Sequence, residues 1–190
     1  MGKIYDKNGW VNWDYILTLK SAFIMVVGAR GTGKTYGLFK KLTSEKKPFL
    51  YVRRLQSQLD ISKSESGNPF RKLNSDQMMD IMPRPRSKLC EFRTEQGQGE
   101  LVAIGVSLST VATIRGFDFS GIDYMVYDEC IPMVGEKPIK DEFNAFLNLY
   151  ETVNRNRELE GQRPVQCIML GNANQLANPY FSGWHFTKTA

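Results

Sequence analysis

The chain has 190 residues, a formal charge of +5, 42% apolar and 24% charged side chains. Those fractions suit an ordinary folded protein with one domain over residues 1–190 and argue against a disordered polyelectrolyte. No uninterrupted apolar run approaches the ~20 residues that span a bilayer, and the first residues lack a signal-peptide core, so no membrane association is expected.

Cys90, Cys130 and Cys167 are odd in number and form no Cys-x-x-Cys pair, which points away from a zinc site or a disulfide framework. The single His185 excludes a multi-histidine metal site and reads as a surface or interface residue. The basic residues are scattered (Lys46-Lys47, Arg53-Arg54, Arg71-Lys72, Arg84, Arg86, Lys137, Lys140). Their balance is compatible with nucleic acid, but a solvated surface explains most of them equally well.

Trp10 to Lys20 is an aromatic-rich lead-in, predicted as a short helix packed beside the next feature. Ala22–Gly28 reads as the first strand, followed by Gly28-Ala29-Arg30-Gly31-Thr32-Gly33-Lys34-Thr35. That segment fits the phosphate-binding pattern G-x-x-x-x-G-K-[ST]. Its glycines let backbone N–H groups approach phosphate oxygens, and the helix that follows aims its positive end at the same anion. Lys34 can reach the β- and γ-phosphates of ATP, and the Thr35 hydroxyl can ligate Mg²⁺. The helix is predicted to run to about Ser44 on the apolar positions Tyr36, Leu38, Phe39 and Leu42. Phe49–Val52 makes a second buried strand ending at Arg53-Arg54. This βαβ unit implies an α/β fold with a mostly parallel sheet flanked by helices.

Gln56–Asn74 is polar and reads as a mobile excursion, and Asp76–Met82 as a short helix closed by Pro83 and Pro85. Leu89–Arg93 and Leu101–Ser107 are strand-like runs about Gln96-Gly-Gln-Gly, expected to form an inserted β-hairpin. Tyr124–Tyr127 and Cys167–Leu170 fit central parallel strands. Between them, Asp141–Asn154 carries Phe143, Phe146, Leu147, Tyr150 and Val153 at helical spacing.

The run Ile122-Asp-Tyr-Met-Val-Tyr-Asp-Glu ends in two adjacent acids and resembles the Walker B motif of ATPases. Asp128 is placed to hold the Mg²⁺ shell, and Glu129 to accept a proton from an attacking water. A buried strand that simply surfaces at two acids would look the same. The long separation of Asp128 from the phosphate loop, with a Glu directly after it, suits the additional-strand, catalytic-glutamate (ASCE) type of P-loop ATPase. Its core order 5-1-4-3-2 would seat Gln166–Leu170 between the phosphate-loop and Asp128 strands. Asn172 then lies where it could sense the γ-phosphate or the attacking water, although a turn asparagine fits too. Arg53 would sit beside Glu129, either restraining it as a switch or merely holding a strand end. Arg155, past the end of the 141–154 helix, could reach a neighbour's γ-phosphate as an arginine finger, or serve only the helix dipole.

Taken together, Val27-Gly-Ala-Arg-Gly-Thr-Gly-Lys-Thr, Tyr51-Val-Arg-Arg, Tyr127-Asp-Glu, Leu147-Asn-Leu-Tyr-Glu-Thr-Val-Asn-Arg-Asn-Arg-Glu, Leu170-Gly-Asn-Ala and Asn178-Pro-Tyr-Phe resemble the DNA-packaging ATPases of phi29-like bacteriophages. The resemblance implies a homomeric ring, usually a pentamer, docked on the portal of a procapsid in the host cytoplasm and driving double-stranded DNA inward with ATP. It implies phosphate and Mg²⁺ binding by Lys34 and Thr35, metal support by Asp128, catalysis by Glu129, trans action by Arg155 and coupling of hydrolysis to movement by Asn172. Family members continue into a nuclease-like second domain that these residues do not include. Lys137, Lys140, Arg71 and Lys72 are candidate DNA contacts. Rival readings are a helicase- or recombination-type ATPase and a nucleotide-gated binding module that scarcely hydrolyses.

Overall fold

In the computed structural model, which describes residues 4–114, 116–173 and 178–184, the apolar runs join one sheet. Its strands in chain order are β1 (Phe23–Val27), β2 (Phe49–Arg53), β3 (Met82–Pro85), β4 (Cys90–Arg93), β5 (Leu101–Ser107), β6 (Tyr124–Asp128) and β7 (Gln166–Gly171). Their spatial order is β1-β7-β6-β2-β5-β4-β3. The pairs from β1 through to β5 are parallel, and β4 and β3 add antiparallel to the far edge. The order β1-β7-β6-β2 is the expected 1-4-3-2. No fifth strand flanks β1 among the described residues.

Successive strand residues point to opposite faces, and β2 shows the consequence. Phe49 and Tyr51 enter one core with Leu38, Phe39 and Leu42 of helix α2 (Lys34–Ser44). Leu50 and Val52 enter the other, with Phe146, Leu149 and Val153 of helix α6 (Glu142–Val153). Each such side chain withdrawn from water contributes about 1.5–3 kcal/mol. α6 runs opposite to the strands it covers: near its end the Tyr150 hydroxyl donates to the Val165 carbonyl at 2.9 Å, and Asn154 Oδ1 accepts from Val165 N at 2.8 Å.

The lead-in is shorter than expected as a helix, with α1 covering Trp13–Ile16, but it does pack against the phosphate loop. Val11 N donates to the Thr32 carbonyl at 3.2 Å, and Trp13 Nε1 points to the Gly33 carbonyl at 3.4 Å. The inserted hairpin is β4–β5, turned through α5 (Thr94–Gly97), where Glu95 and Gln96 are left-handed.

Two expectations are corrected. Gln56–Asn74 is not a mobile excursion: it holds α3 (Gln56–Ser62) and the start of α4 (Arg71–Gln77), anchored by buried Leu59, Phe70 and Leu73. The predicted 76–82 helix lies earlier, in α4, and Met82–Pro85 is an edge strand. Proline is tolerated at a sheet edge because its missing N–H can face solvent, and Pro83 and Pro85 pair there with Phe92 and Cys90. The helix α7 (Pro179–Gly183) starts on an Asn178 cap whose Oδ1 accepts from Tyr180 N and Phe181 N. His185 lies outside the described residues.

Candidate active site

The phosphate loop follows β1 directly and turns into α2. Gly33 is the N-cap at φ 73°, with Trp10 so close that a Cβ would sit 3.3 Å from its ring. The left-handed backbone favours glycine here, and a side chain would also crowd Trp10. Gly31 is also left-handed, Arg30 is exposed, and the Thr32 hydroxyl donates to the Ala29 carbonyl at 3.1 Å. Lys34 is buried, with Nζ at the centre of the loop, donating to the carbonyls of Gly28 (2.9 Å) and Ala29 (2.6 Å). Burial lowers the Lys34 pKa from the ordinary lysine value, against an opposing pull from Asp128.

Sheet order brings the acids to the loop. β7 lies between β1 and β6, so Asn172 emerges beside Lys34, with Oδ1 accepting from Nζ at 3.4 Å. The Thr35 hydroxyl donates to Asp128 Oδ1 at 2.9 Å. Burial raises the Asp128 pKa, opposed by Arg53 and by the Thr35 hydrogen bond. Gly171 packs flat on the segment after Glu129, where a Cβ would come within 2.7 Å of Ile131. Lys34, Thr35, Asp128, Glu129, Gly171 and Asn172 line one cleft of about 280 Å³.

β2 lies beside β6, which places Arg53 on both acids. Its Nη1 donates to Asp128 Oδ2 at 3.2 Å and its Nη2 to Glu129 Oε2 at 2.6 Å. Glu129 has φ 52°. A non-glycine residue held left-handed costs roughly 1–3 kcal/mol and persists where its surroundings impose it. The ion pair with Arg53 and the next amide, Cys130 N to the Leu170 carbonyl at 3.0 Å, are the local restraints.

The donor set suits magnesium. A buried carboxylate and a hydroxyl share one point, and no group of three or more His, Cys, Asp or Glu competes as a metal cage among the described residues. Mg²⁺ typically takes one or two carboxylates and completes its shell with phosphate and water.

Arg155 is not brought to this cleft. It is exposed beyond the far end of α6 and lines a separate cleft of about 470 Å³ with Phe117, Asp118 and Arg157. Its neighbour Arg157 is engaged within the chain, donating to Asp123 Oδ1 and the Ile122 carbonyl, each at 2.8 Å. Arg71, Lys72, Lys137 and Lys140 are exposed, and Lys72 pairs with Asp76 at 2.9 Å.

Sequence reasoning placed Arg54 among scattered basic residues that a solvated surface would explain. It is instead among the most deeply buried side chains, 1% exposed, and pairs with Glu142 and Glu136. Its one signal in the sequence is its position after an apolar strand.

Residues 5–188 match the profile of the podovirus DNA encapsidation protein (Gp16) family. The chain belongs to this family. Among podovirus DNA encapsidation proteins, it is 29% identical over 181 residues to the DNA packaging protein of Bacillus phage phi29, covering 93% of this chain and 50% of that protein. It is 30% identical over 165 residues to the DNA packaging protein of Bacillus phage B103, covering 82% and 46% respectively. The chain thus spans about half the length of these curated relatives. Among solved structures, it resembles the crystal structure of the N-terminal domain of the DNA packaging ATPase from bacteriophage phi29, with a TM-score of 0.68 and 27% identity over 93% of this chain and 86% of that one. It also resembles a chain of the bacteriophage phi29 genome packaging motor assembly, with a TM-score of 0.70 and 27% identity over 93% and 51% of the two chains. The mixed α/β sheet is therefore that of a packaging-ATPase N-terminal domain. No described helix is long and apolar enough to cross a membrane.

Proposed function

We propose that this chain is the ATPase domain of a DNA-packaging motor of the ASCE type, hydrolysing ATP to drive viral double-stranded DNA into a procapsid. The observation that carries the reading is the Thr35–Asp128 hydrogen bond, which joins the phosphate loop to a strand end whose next residue is Glu129. Family membership supports the packaging role.

In this reading the N–H groups of residues 28–35 and the Lys34 ammonium bind the β- and γ-phosphates. Thr35 and Asp128 would hold Mg²⁺, which would supply positive charge to offset that developing on the phosphates. Glu129 takes a proton from the water that attacks the γ-phosphorus. The bond to the bridging oxygen breaks, and ADP and phosphate leave. Asn172, already on Lys34, orients the γ-phosphate or that water. Arg53 restrains Glu129 until the pair opens. Arg155 lies at the wrong end of the sheet for its own cleft, which supports its action on a neighbouring subunit's nucleotide. That role needs a homomeric ring, in keeping with the motor assembly of the phi29 relative. From the resemblance of the sequence to phi29-like packaging ATPases we further propose a pentamer at the portal of a procapsid, in the host cytoplasm, with Arg71, Lys72, Lys137 and Lys140 as candidate phosphate contacts. Sequence-independent contacts of that kind suit a motor.

ATP turnover by the protein at its natural length, with and without double-stranded DNA, tests the reading. Turnover that rises with duplex DNA is expected. ATP binding without turnover would favour a nucleotide-gated module, and a preference for single strands a helicase-type enzyme.

A further inference from the structure

Adjacent residues at the end of β2 face different partners. Arg53 reaches Asp128 and Glu129, while Arg54 turns into the protein. The Arg54 guanidinium meets Glu142, the first residue of α6, through two parallel hydrogen bonds of 2.7 Å from Nε and Nη2. Its Nη1 lies 2.8 Å from Glu136 Oε2, and Nη2 also points to the Lys137 carbonyl at 3.4 Å. Glu142 in turn accepts from the Tyr180 hydroxyl at 2.9 Å, and Tyr180 shares a 2.6 Å hydrogen bond with Tyr127, the residue before Asp128. Glu136 folds its own loop, accepting from Met133 N at 3.0 Å and from the Gln58 amide.

Burying an ionised triad costs several kcal/mol per ion, and apolar replacements of the same volume are often as stable or more so. Stability is therefore a poor account of Arg54. Its contacts explain it better. They fix the segment between Glu129 and α6 at its middle, through Glu136 and the Lys137 carbonyl, and at its far end, through Glu142, while Tyr180 and Tyr127 link Glu142 back to the strand that ends at Asp128. α6 in turn leads to Arg155.

We propose that Arg54 is a positioning residue for hydrolysis, clamping residues 129–141 and the start of α6 so that Glu129 and Arg155 keep their placement relative to the sheet. The inference rests on the hydrolysis reading above. Arg54 does not line the phosphate-loop cleft; it acts through Glu136 and Glu142.

The test is R54M/E136Q/E142Q, which removes the three charges, two of them buried, with side chains of similar size, in the protein at its natural length. A merely structural network would change melting temperature and the fraction of binding-competent protein, but not kcat per bound nucleotide. The clamp predicts nucleotide affinity and KM close to wild type with kcat lowered about a hundredfold, the loss that a ~1 Å misplacement brings. If the triple variant does not fold, E136Q alone decides, since Glu136 is the least buried of the three, its side chain 17% exposed. It is expected to lower kcat at unchanged KM. Wild-type kcat in the folded triple variant, or in E136Q where only that folds, overturns the proposal. Glu129→Gln, assayed in parallel, separates the two claims: surviving turnover there removes the hydrolysis reading itself, whereas a dead Glu129→Gln beside a fully active clamp variant removes only the clamp.

Discussion

The phosphate loop and the acidic strand end face each other across one cleft, yet they are held in opposite ways. Lys34 is held by its own loop, through carbonyls five and six residues away in sequence. Asp128 and Glu129 are held by Arg53, 75 and 76 residues away. The loop's central contacts lie within one short segment, with Trp10, Val11, Trp13 and Asn172 supporting it from outside. The acidic end draws its geometry from several distant elements, with β2 docked against β6 supplying Arg53, α2 supplying Thr35 and β7 the Leu170 carbonyl. Nucleotide binding should therefore survive damage that hydrolysis does not.

The largest break in that comparison is expected at a third place, outside the cleft. Arg155→Ala should lower kcat by about 10³–10⁵ if it acts as a finger, with nucleotide binding retained. Mixing Arg155→Ala with Lys34→Ala subunits should restore part of the activity at mixed interfaces. No recovery in rings shown to form would count against trans action.

A smaller effect is expected at Arg53. Exposed ion pairs contribute about 0–1 kcal/mol, and Glu129 is the exposed partner, its side chain 49% accessible. Arg53→Ala should therefore raise basal turnover by no more than about fivefold and reduce its stimulation by DNA. Unchanged stimulation would remove the restraint from the mechanism.

The smallest is a pH effect on the loop side. Because burial lowers the Lys34 pKa, the ammonium is lost as pH rises through a value below the ordinary lysine range. Nucleotide affinity should be full at neutral pH and fall on the alkaline side earlier than a solvated lysine would dictate. A titration of binding against pH checks this, and the alkaline fall should vanish in Lys34→Ala, whose affinity is low throughout.

The contrast between local and distant restraint also explains what the sequence disclosed. The phosphate loop, β1 and α2 were legible because a motif or an apolar pattern marks each one, whereas the place of β7 between β1 and β6 came from the strand order typical of the ATPase class that the Asp128-Glu129 pair suggested. The proximity of Arg53 to Glu129 followed from the sheet order. α3 was missed and α4 was placed too late in the chain because each helix is seven residues long and shows few apolar anchors, too few to establish a period. β3 was hidden by Pro83 and Pro85, which read as helix stops although an edge strand admits them. The Arg54 network was illegible because Glu142 lies 88 residues away and no local pattern distinguishes a buried arginine from a solvated one.

The most direct test of the central claim is Glu129→Gln, measured for equilibrium ATP binding and for single-turnover hydrolysis on the same protein. A general base of this kind accounts for about 10²–10⁴ in rate. Binding close to wild type with hydrolysis reduced by that factor is the predicted result. Hydrolysis at the wild-type rate would contradict the assignment of Glu129, and with it the division of the cleft into a binding side and a hydrolytic side.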